Sequence, residues 1–264
     1  MDLGLKGRVA VITGGSRGIG KAIAIGLGRE GTRIAICARN LDGAQAAAEA
    51  ITQETGAEAL AVQADVTSGS DVEGFVSSVA ARFGRIDILV NNAANFRSAP
   101  FFDLTDEDWL DHFNVKMVGY VRMIKAVAPH MKQAHWGRII NIAGGAAREG
   151  GTYGWKAGPI NAGIVNLTKK LSNELGPSGI TVNAIHPGGS RTDRREASYR
   201  QTMEKEGISR EEVERRAVAE VPIGRLVGPE DTANTIVFLA SEPAGAITGQ
   251  VLSVDGGKTS GVFY

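Results

Sequence analysis

"RVAVITGGSRGIGKAIAIGLGRE", Arg8 to Glu30, changes its periodicity within a few residues. Arg8–Thr13 is a short, mostly apolar run closed by glycine, the pattern of a strand buried on both faces. From Ile19 to Glu30 apolar residues recur at helical spacing. Between them lies Gly14-x-x-x-Gly18-x-Gly20. A strand, a glycine-rich turn and a helix in that order form a phosphate cradle. Gly14 permits the tight turn, while Gly18 and Gly20 let backbone approach a pyrophosphate and let helix pack on sheet. The helix N-terminus then offers amides and partial positive charge. Isolated glycines often only make turns, but this context points to a dinucleotide site.

The same alternation continues along the chain. Thr32–Ala38, Glu58–Ala64, Ile86–Val90, Arg138–Ile142, Thr181–Ile185 and Gln250–Val254 read as strands. Leu41–Thr55, Gly69–Phe83, Glu107–Lys132, Pro159–Leu175 and Glu230–Ala240 read as helices. Strict β/α alternation with apolar strands predicts an α/β fold, a parallel sheet covered on both faces. No linker, repeat or low-complexity tract divides residues 1–264, which are expected to form one domain. Lys+Arg and Asp+Glu balance at 29 each, which argues against a nucleic-acid or anionic-membrane partner. Cys37 is the only cysteine, so no intrachain disulfide can form. The N-terminus reads as the first strand rather than a signal peptide, and no apolar run approaches the roughly 20 residues of a membrane span. A cytoplasmic location is expected. His112, His130, His135 and His186 lack metal-ligand spacing, so no metal is expected.

The second strand ends "CARN", with Ala38 and Arg39 where an acid would bond the ribose hydroxyls and repel a 2′-phosphate. Arg17 lies in the glycine loop. Two arginines and no acid predict NADP(H) rather than NAD(H). Asp65, after the third strand, is placed to bond an adenine amino group.

Over almost its whole length the chain resembles the short-chain dehydrogenase/reductase family. The matching pieces are "TGGSRGIG", "ADV", "NNAA", Asn114 in "HFNVKMVGY", "GRIINIA", "NLTKKLSNELGPSGITVNAIHPGGSRT" and "ITGQVLSVDGG". The resemblance implies a doubly wound Rossmann-type three-layer sandwich with a seven-stranded parallel sheet, and nicotinamide-dependent oxidoreductase chemistry on a small-molecule substrate. It implies cofactor contacts from Gly14, Ser16, Arg17, Gly18, Ile19, Gly20, Arg39, Asp65, Val66, Asn91, Ala93, Pro187, Gly188, Ser190 and Thr192. It also implies a homodimer or homotetramer built on the helices near 107–132 and 159–175.

Carbonyl chemistry in this family uses Asn, Ser, Tyr and Lys. The tyrosine protonates the carbonyl oxygen, and the lysine cation lowers its pKa from about 10. Counted back from Leu167 of "NLTK", the family's Lys position is Asn161 and its Tyr position Ala157. The Ser position falls on Gly144, and counting forward from "GRIINI" gives the same residue. Only Asn114 is kept. The nearby "GGTYGWKAGPINAG", Gly150 to Gly163, does hold Tyr153 and Lys156, three residues apart. Pro159 suits a first helical turn, so the helix is expected to start near Gly158–Pro159, with both residues on the entering loop at the cleft mouth. Asn114, Tyr153 and Lys156 are therefore the candidate catalytic residues, with Tyr153 and Lys156 not expected to be a simple substitute for the usual pair.

Three outcomes stay open: reduction of an enoyl-thioester, carbonyl reduction with Tyr153 and Lys156 in substitute roles, or a catalytically silent nucleotide-binding protein or partner subunit. "AGPINAGIVNLTK" is similar to peroxisomal enoyl-CoA reductases, and "NNAANF" and "KTSGVFY" resemble the 2,4-dienoyl-CoA reductase branch. Residues 190–222 read as a substrate lid. Arg191, Arg194, Arg195 and Arg200 could meet an anionic group, but the rest of the lid is equally acidic and basic, which favours a solvated amphipathic helix.

Overall fold

The computed structural model describes residues 1–95, 99–148, 154–188 and 193–259, with backbone alone at 193–195. Strands β1 (Val9–Thr13), β2 (Arg33–Ala38), β3 (Ala59–Gln63), β4 (Ile88–Asn91), β5 (Gly137–Ile142), β6 (Ile180–Pro187) and β7 (Val251–Val254) form one sheet in the order β3-β2-β1-β4-β5-β6-β7. Every neighbouring pair is parallel. The helices are α1 (Gly18–Arg29), α2 (Leu41–Thr55), α3 (Gly69–Phe83), α4 (Asp106–Phe113), α5 (Gly119–Ala134), α6 (Ala157–Leu175), α7 (Asp193–Glu206), α8 (Arg210–Ala219) and α9 (Pro229–Ala240). None of the described helices is long and apolar enough to cross a membrane.

The inner strands of the sheet are buried on both faces, which explains their continuous apolar runs. Val9 and Val11 of β1 join Phe75, Val79, Met123, Val127 and Met131 in one core. Ala10 and Ile12, pointing the other way, join Ile23, Leu27, Ile236 and Leu239 in a second. Alternate residues of one strand thus serve opposite cores. Burial pushes the Cys37 thiol up to about 12, so this sulfur stays protonated and inert.

The order reverses at β1, whose neighbours are β2 on one side and β4 on the other. A crevice at the carboxyl ends of the strands opens at such a point. The opposite end is closed by charge. Asp87, just before β4, accepts from Arg8 at 3.2 Å, from the Val9 amide at 2.9 Å and from Arg85 Nε and Nη2 at 2.8 and 2.6 Å. Arg8 and Arg138 both stack on the Trp136 ring, at 3.7 and 4.3 Å from its centre.

Two expectations need correction. The helix expected over 107–132 is interrupted: Asn114–Val118 is a π-turn between α4 and α5. Helix α6 begins at Ala157, so Pro159 is the third residue of its first turn, where proline is still tolerated. The expected lid segment contains two helices, α7 and α8, separated around Gly207, whose φ of +67° suits glycine. Tyr199, Val213, Val221 and Leu226 give them a small core of their own.

Candidate active site

Thr13 ends β1 and organises the glycine loop. Its hydroxyl accepts from the amides of Asn92 and Ala93, both at 3.0 Å. The Asn92 side chain donates back to the carbonyls of Thr13 and Gly14, each at 3.0 Å. Gly14 and Gly18 have φ of +66° and +55°. A Cβ on Gly20 would lie 2.3 Å from the Gly14 carbonyl oxygen and 2.6 Å from Asn92 Nδ2. The cradle therefore exists only with glycine there. Arg17 caps α1 through backbone alone, with no side-chain hydrogen bond to the first amides. Sequence reading named Asn91 and Ala93 and passed over Thr13 and Asn92. The signal was the strand-end threonine facing a doubled asparagine.

Arg17 and Arg39 are exposed, Ser16 and Ile19 half-buried. Arg39 directly follows β2, its carbonyl fixed by Gln63 at 3.0 Å. Asp65 spends one carboxylate oxygen on the Thr67 amide and hydroxyl, both at 2.8 Å. Val66 is buried, and its carbonyl takes Arg122 at 3.3 Å.

Farther along the crevice, Asn91 donates to Asn141 Oδ1 at 2.9 Å, and Asn141 donates to Thr168 at 3.0 Å. Asn91 Oδ1 is buried without a partner among the described residues. The Asn114 side chain accepts from Arg122 at 2.9 Å. Gly144 and Asn161, the residues counted as the Ser and Lys positions, meet: a Cβ on Gly144 would lie 2.8 Å from Asn161 Nδ2. Ala157 opens α6 one turn earlier. The buried Lys116 ammonium, from the π-turn, donates to Asn161 Oδ1 at 2.6 Å and to the Ala143 carbonyl at 2.7 Å.

Lys156 is not open to the cleft mouth. It is buried, and its ammonium donates to the Asp108 carbonyl at 3.2 Å with the Asp108 carboxylate at 3.9 Å. It fastens α6 to α4. Trp155 packs edge-on against Phe101, with ring centres 5.3 Å apart. Tyr153, Ser190, Arg191 and Thr192 lie outside the described residues, as do the side chains of Arg194 and Arg195. Arg200 is exposed. Pro187 ends β6, and a Cβ on Gly188 would meet Asp255 Cα at 2.7 Å.

The crevice also holds two buried histidines. His112 shares a hydrogen bond of 2.8 Å with Asn95, and no partner is described for its Nε2. Neither ring nitrogen of His186 has a described hydrogen-bond partner. Burial first, then the Lys116 charge for His112 and the Arg148 charge for His186, pushes both down to about 4, so both rings are neutral near pH 7. His130 is half-buried and His135 exposed. No group of metal-ligating residues occurs among the described residues.

The family profile described as "Enoyl-(Acyl carrier protein) reductase" matches residues 14–259. The NADPH-dependent reductase BacG of Bacillus subtilis is 35% identical over 256 residues, 97% of this chain and 99% of that protein. The 3-oxoacyl-[acyl-carrier-protein] reductase FabG of Escherichia coli is 36% identical over 257 residues, 97% and 98% of the two chains. The crystal structure of L-sorbose reductase from Gluconobacter frateurii, complexed with NADPH and L-sorbose, superimposes with a TM-score of 0.95 at 33% identity, covering 99% of this chain and 100% of that one.

Proposed function

This chain belongs to the short-chain dehydrogenase/reductase family, and from that premise we propose that it is an NADP(H)-dependent reductase with an altered active centre, acting on an alkene conjugated to a carbonyl, as in an enoyl-thioester. The observation that carries the reading is the contact of Gly144 with Asn161. With Ala157 these residues stand at the positions counted as Ser, Lys and Tyr, and none carries a hydroxyl.

The residues present fit a dinucleotide. The loop is open only as glycine, the α1 amides lack a side-chain cap, and Asn91 Oδ1 is buried and unpartnered among the described residues. Gly14, Ser16, Gly18, Ile19 and Gly20 would hold the pyrophosphate, and Arg17 and Arg39 the 2′-phosphate. Asp65 and Val66 would take the adenine, while Asn91, Ala93, Pro187 and Gly188, with Ser190 and Thr192, would line the nicotinamide half. When bound, NADPH supplies a hydride. The protein must then hold negative charge. A ketone concentrates that charge on the attacked carbonyl, where an acid is needed at once. A conjugated thioester spreads it to a remote oxygen, which neutral donors or a cation can hold. Relatives such as the 3-oxoacyl-[acyl-carrier-protein] reductase FabG favour a carbonyl substrate instead, with Tyr153 as the acid.

NADPH oxidation with paired enoyl-thioesters, ketones and aldehydes separates the two readings. The enoyl substrate should turn over at least tenfold faster than its ketone counterpart, and Tyr153→Phe should lower turnover less than tenfold. A loss of 10³-fold or more in Tyr153→Phe, with NADPH binding intact, would establish tyrosine-dependent carbonyl chemistry and refute the altered centre.

Cofactor choice has its own test. NADPH should bind at least tenfold tighter than NADH, about 1.4 kcal/mol, and Arg39→Asp should reverse the preference. Equal affinity for the two in the unaltered protein would remove the arginines from this role.

A further inference from the structure

We propose that Lys116 is the cation of this active centre, carried on the π-turn between α4 and α5 and held in place by Asn161. The inference rests on the reading that the crevice binds NADP(H).

The backbone explains how the side chain arrives. An α-helix advances about 100° per residue, and a π-turn adds one residue without adding a turn. Side chains after the insertion are therefore re-aimed. Lys116 is the third residue of the π-turn Asn114–Val118, and it points inward where "HFNVKMVGY" would otherwise present an ordinary helical surface. It is 7% exposed. A buried ammonium needs strong acceptors to offset its lost hydration. Two are supplied at short range, Asn161 Oδ1 at 2.6 Å and the Ala143 carbonyl at 2.7 Å.

Those acceptors give the cation its address. Asn161 is the residue counted as the lysine position, and Ala143 immediately precedes the residue counted as the serine position. The Asn161 amide bridges them: its oxygen takes the ammonium, and its nitrogen fills the space a Cβ on Gly144 would need. The charge missing from α6 is thus restored within one hydrogen bond of where α6 would have carried it. The field of Lys116 also reaches both crevice histidines, contributing to the depression of each. Asparagine at 161 acts as a positioning residue. The Lys116 charge would stabilise negative charge developing on a substrate in the crevice, and would disfavour a cationic nicotinamide were the oxidised cofactor bound there.

A merely structural lysine, tying the π-turn to β5 and α6, would affect stability but not discriminate between redox forms of the cofactor. The oxidised nicotinamide ring is cationic and the reduced ring neutral. Dissociation constants for NADP⁺ and NADPH are therefore measured by calorimetry on the full chain, without any substrate. In Lys116→Met the ratio of the NADP⁺ constant to the NADPH constant should fall at least fivefold. Lys116→Arg should stay within twofold of the parent, and Lys116→Met combined with Asn161→Lys should return the ratio toward the parent value. A Lys116→Met ratio within twofold of the parent overturns the inference and leaves the cofactor reading intact. If the parent binds neither form, both fall together. Should Lys116→Met not fold, the parent labelled with ε-¹³C lysine decides: the resonance absent from Lys116→Arg should shift between the NADPH and NADP⁺ complexes, and an unmoved resonance overturns the proposal.

Discussion

Replacing Gly20 by alanine is expected to weaken NADPH binding at least hundredfold, about 2.7 kcal/mol. The new methyl would lie 2.3 Å from the Gly14 carbonyl oxygen and 2.6 Å from Asn92 Nδ2. Neither neighbour can simply swing away. The carbonyl belongs to the turn itself, and Asn92 is fixed by bonds to the Thr13 and Gly14 carbonyls. Relief requires α1 to lift from the loop, which moves the amides meant for the pyrophosphate. Gly74→Ala on α3 is the control, since a Cβ there meets nothing within 4 Å. It should leave affinity unchanged and, as an alanine in a helix interior, add about 0.5–1 kcal/mol of stability. Fluorescence titration with NADPH beside a thermal melt reads both variants. Gly20→Ala affinity within threefold of the parent would dismiss the cradle.

Asp87→Ala is expected to cost about 3 kcal/mol of folding stability while leaving NADPH affinity within twofold. The Asp87 side chain is 1% exposed and accepts from two arginines and the Val9 amide. Removing it strands a buried amide and leaves Arg8 and Arg85 facing each other. Arg8 keeps its exposed Glu242 partner and its Trp136 stack, so the cost stays below the highest measured for buried pairs. The effect stops short of the crevice because Asp87 precedes β4 at the sheet's opposite end. Urea denaturation measures the loss, and an unchanged midpoint would show the cluster to be energetically idle.

The sheet was legible because its strands are apolar on both faces, and the loop because its glycines stand between a strand and a helix. The π-turn was not. Asn114–Val118 carries an unbroken helical pattern, and the extra residue is absorbed by packing of α4 and α5 on other elements. Nothing in that pattern marks Lys116, which is buried in the fold. Lys156 shows the reverse limit: its place before α6 could be counted, but its turn toward Asp108 depends on a helix nearly fifty positions earlier in sequence. Asp87 in "GRID" gains its partners only when the fold brings Arg8 and Val9 beside it. Gly144 and Asn161, far apart in the chain, meet in the fold.

That meeting also constrains the order in which this sequence could be rewritten. Gly144→Ser alone would force a side chain to 2.8 Å from Asn161 Nδ2 on a backbone with φ of +97°. Asn161→Lys alone would set a second ammonium against Lys116 and remove one of its acceptors. Each substitution is unfavourable by itself; concerted replacement at 116 and 161 removes the charge conflict, while the φ of +97° at Gly144 disfavours serine whatever surrounds it. The three positions are therefore coupled, and a substitution at one changes what the other two tolerate.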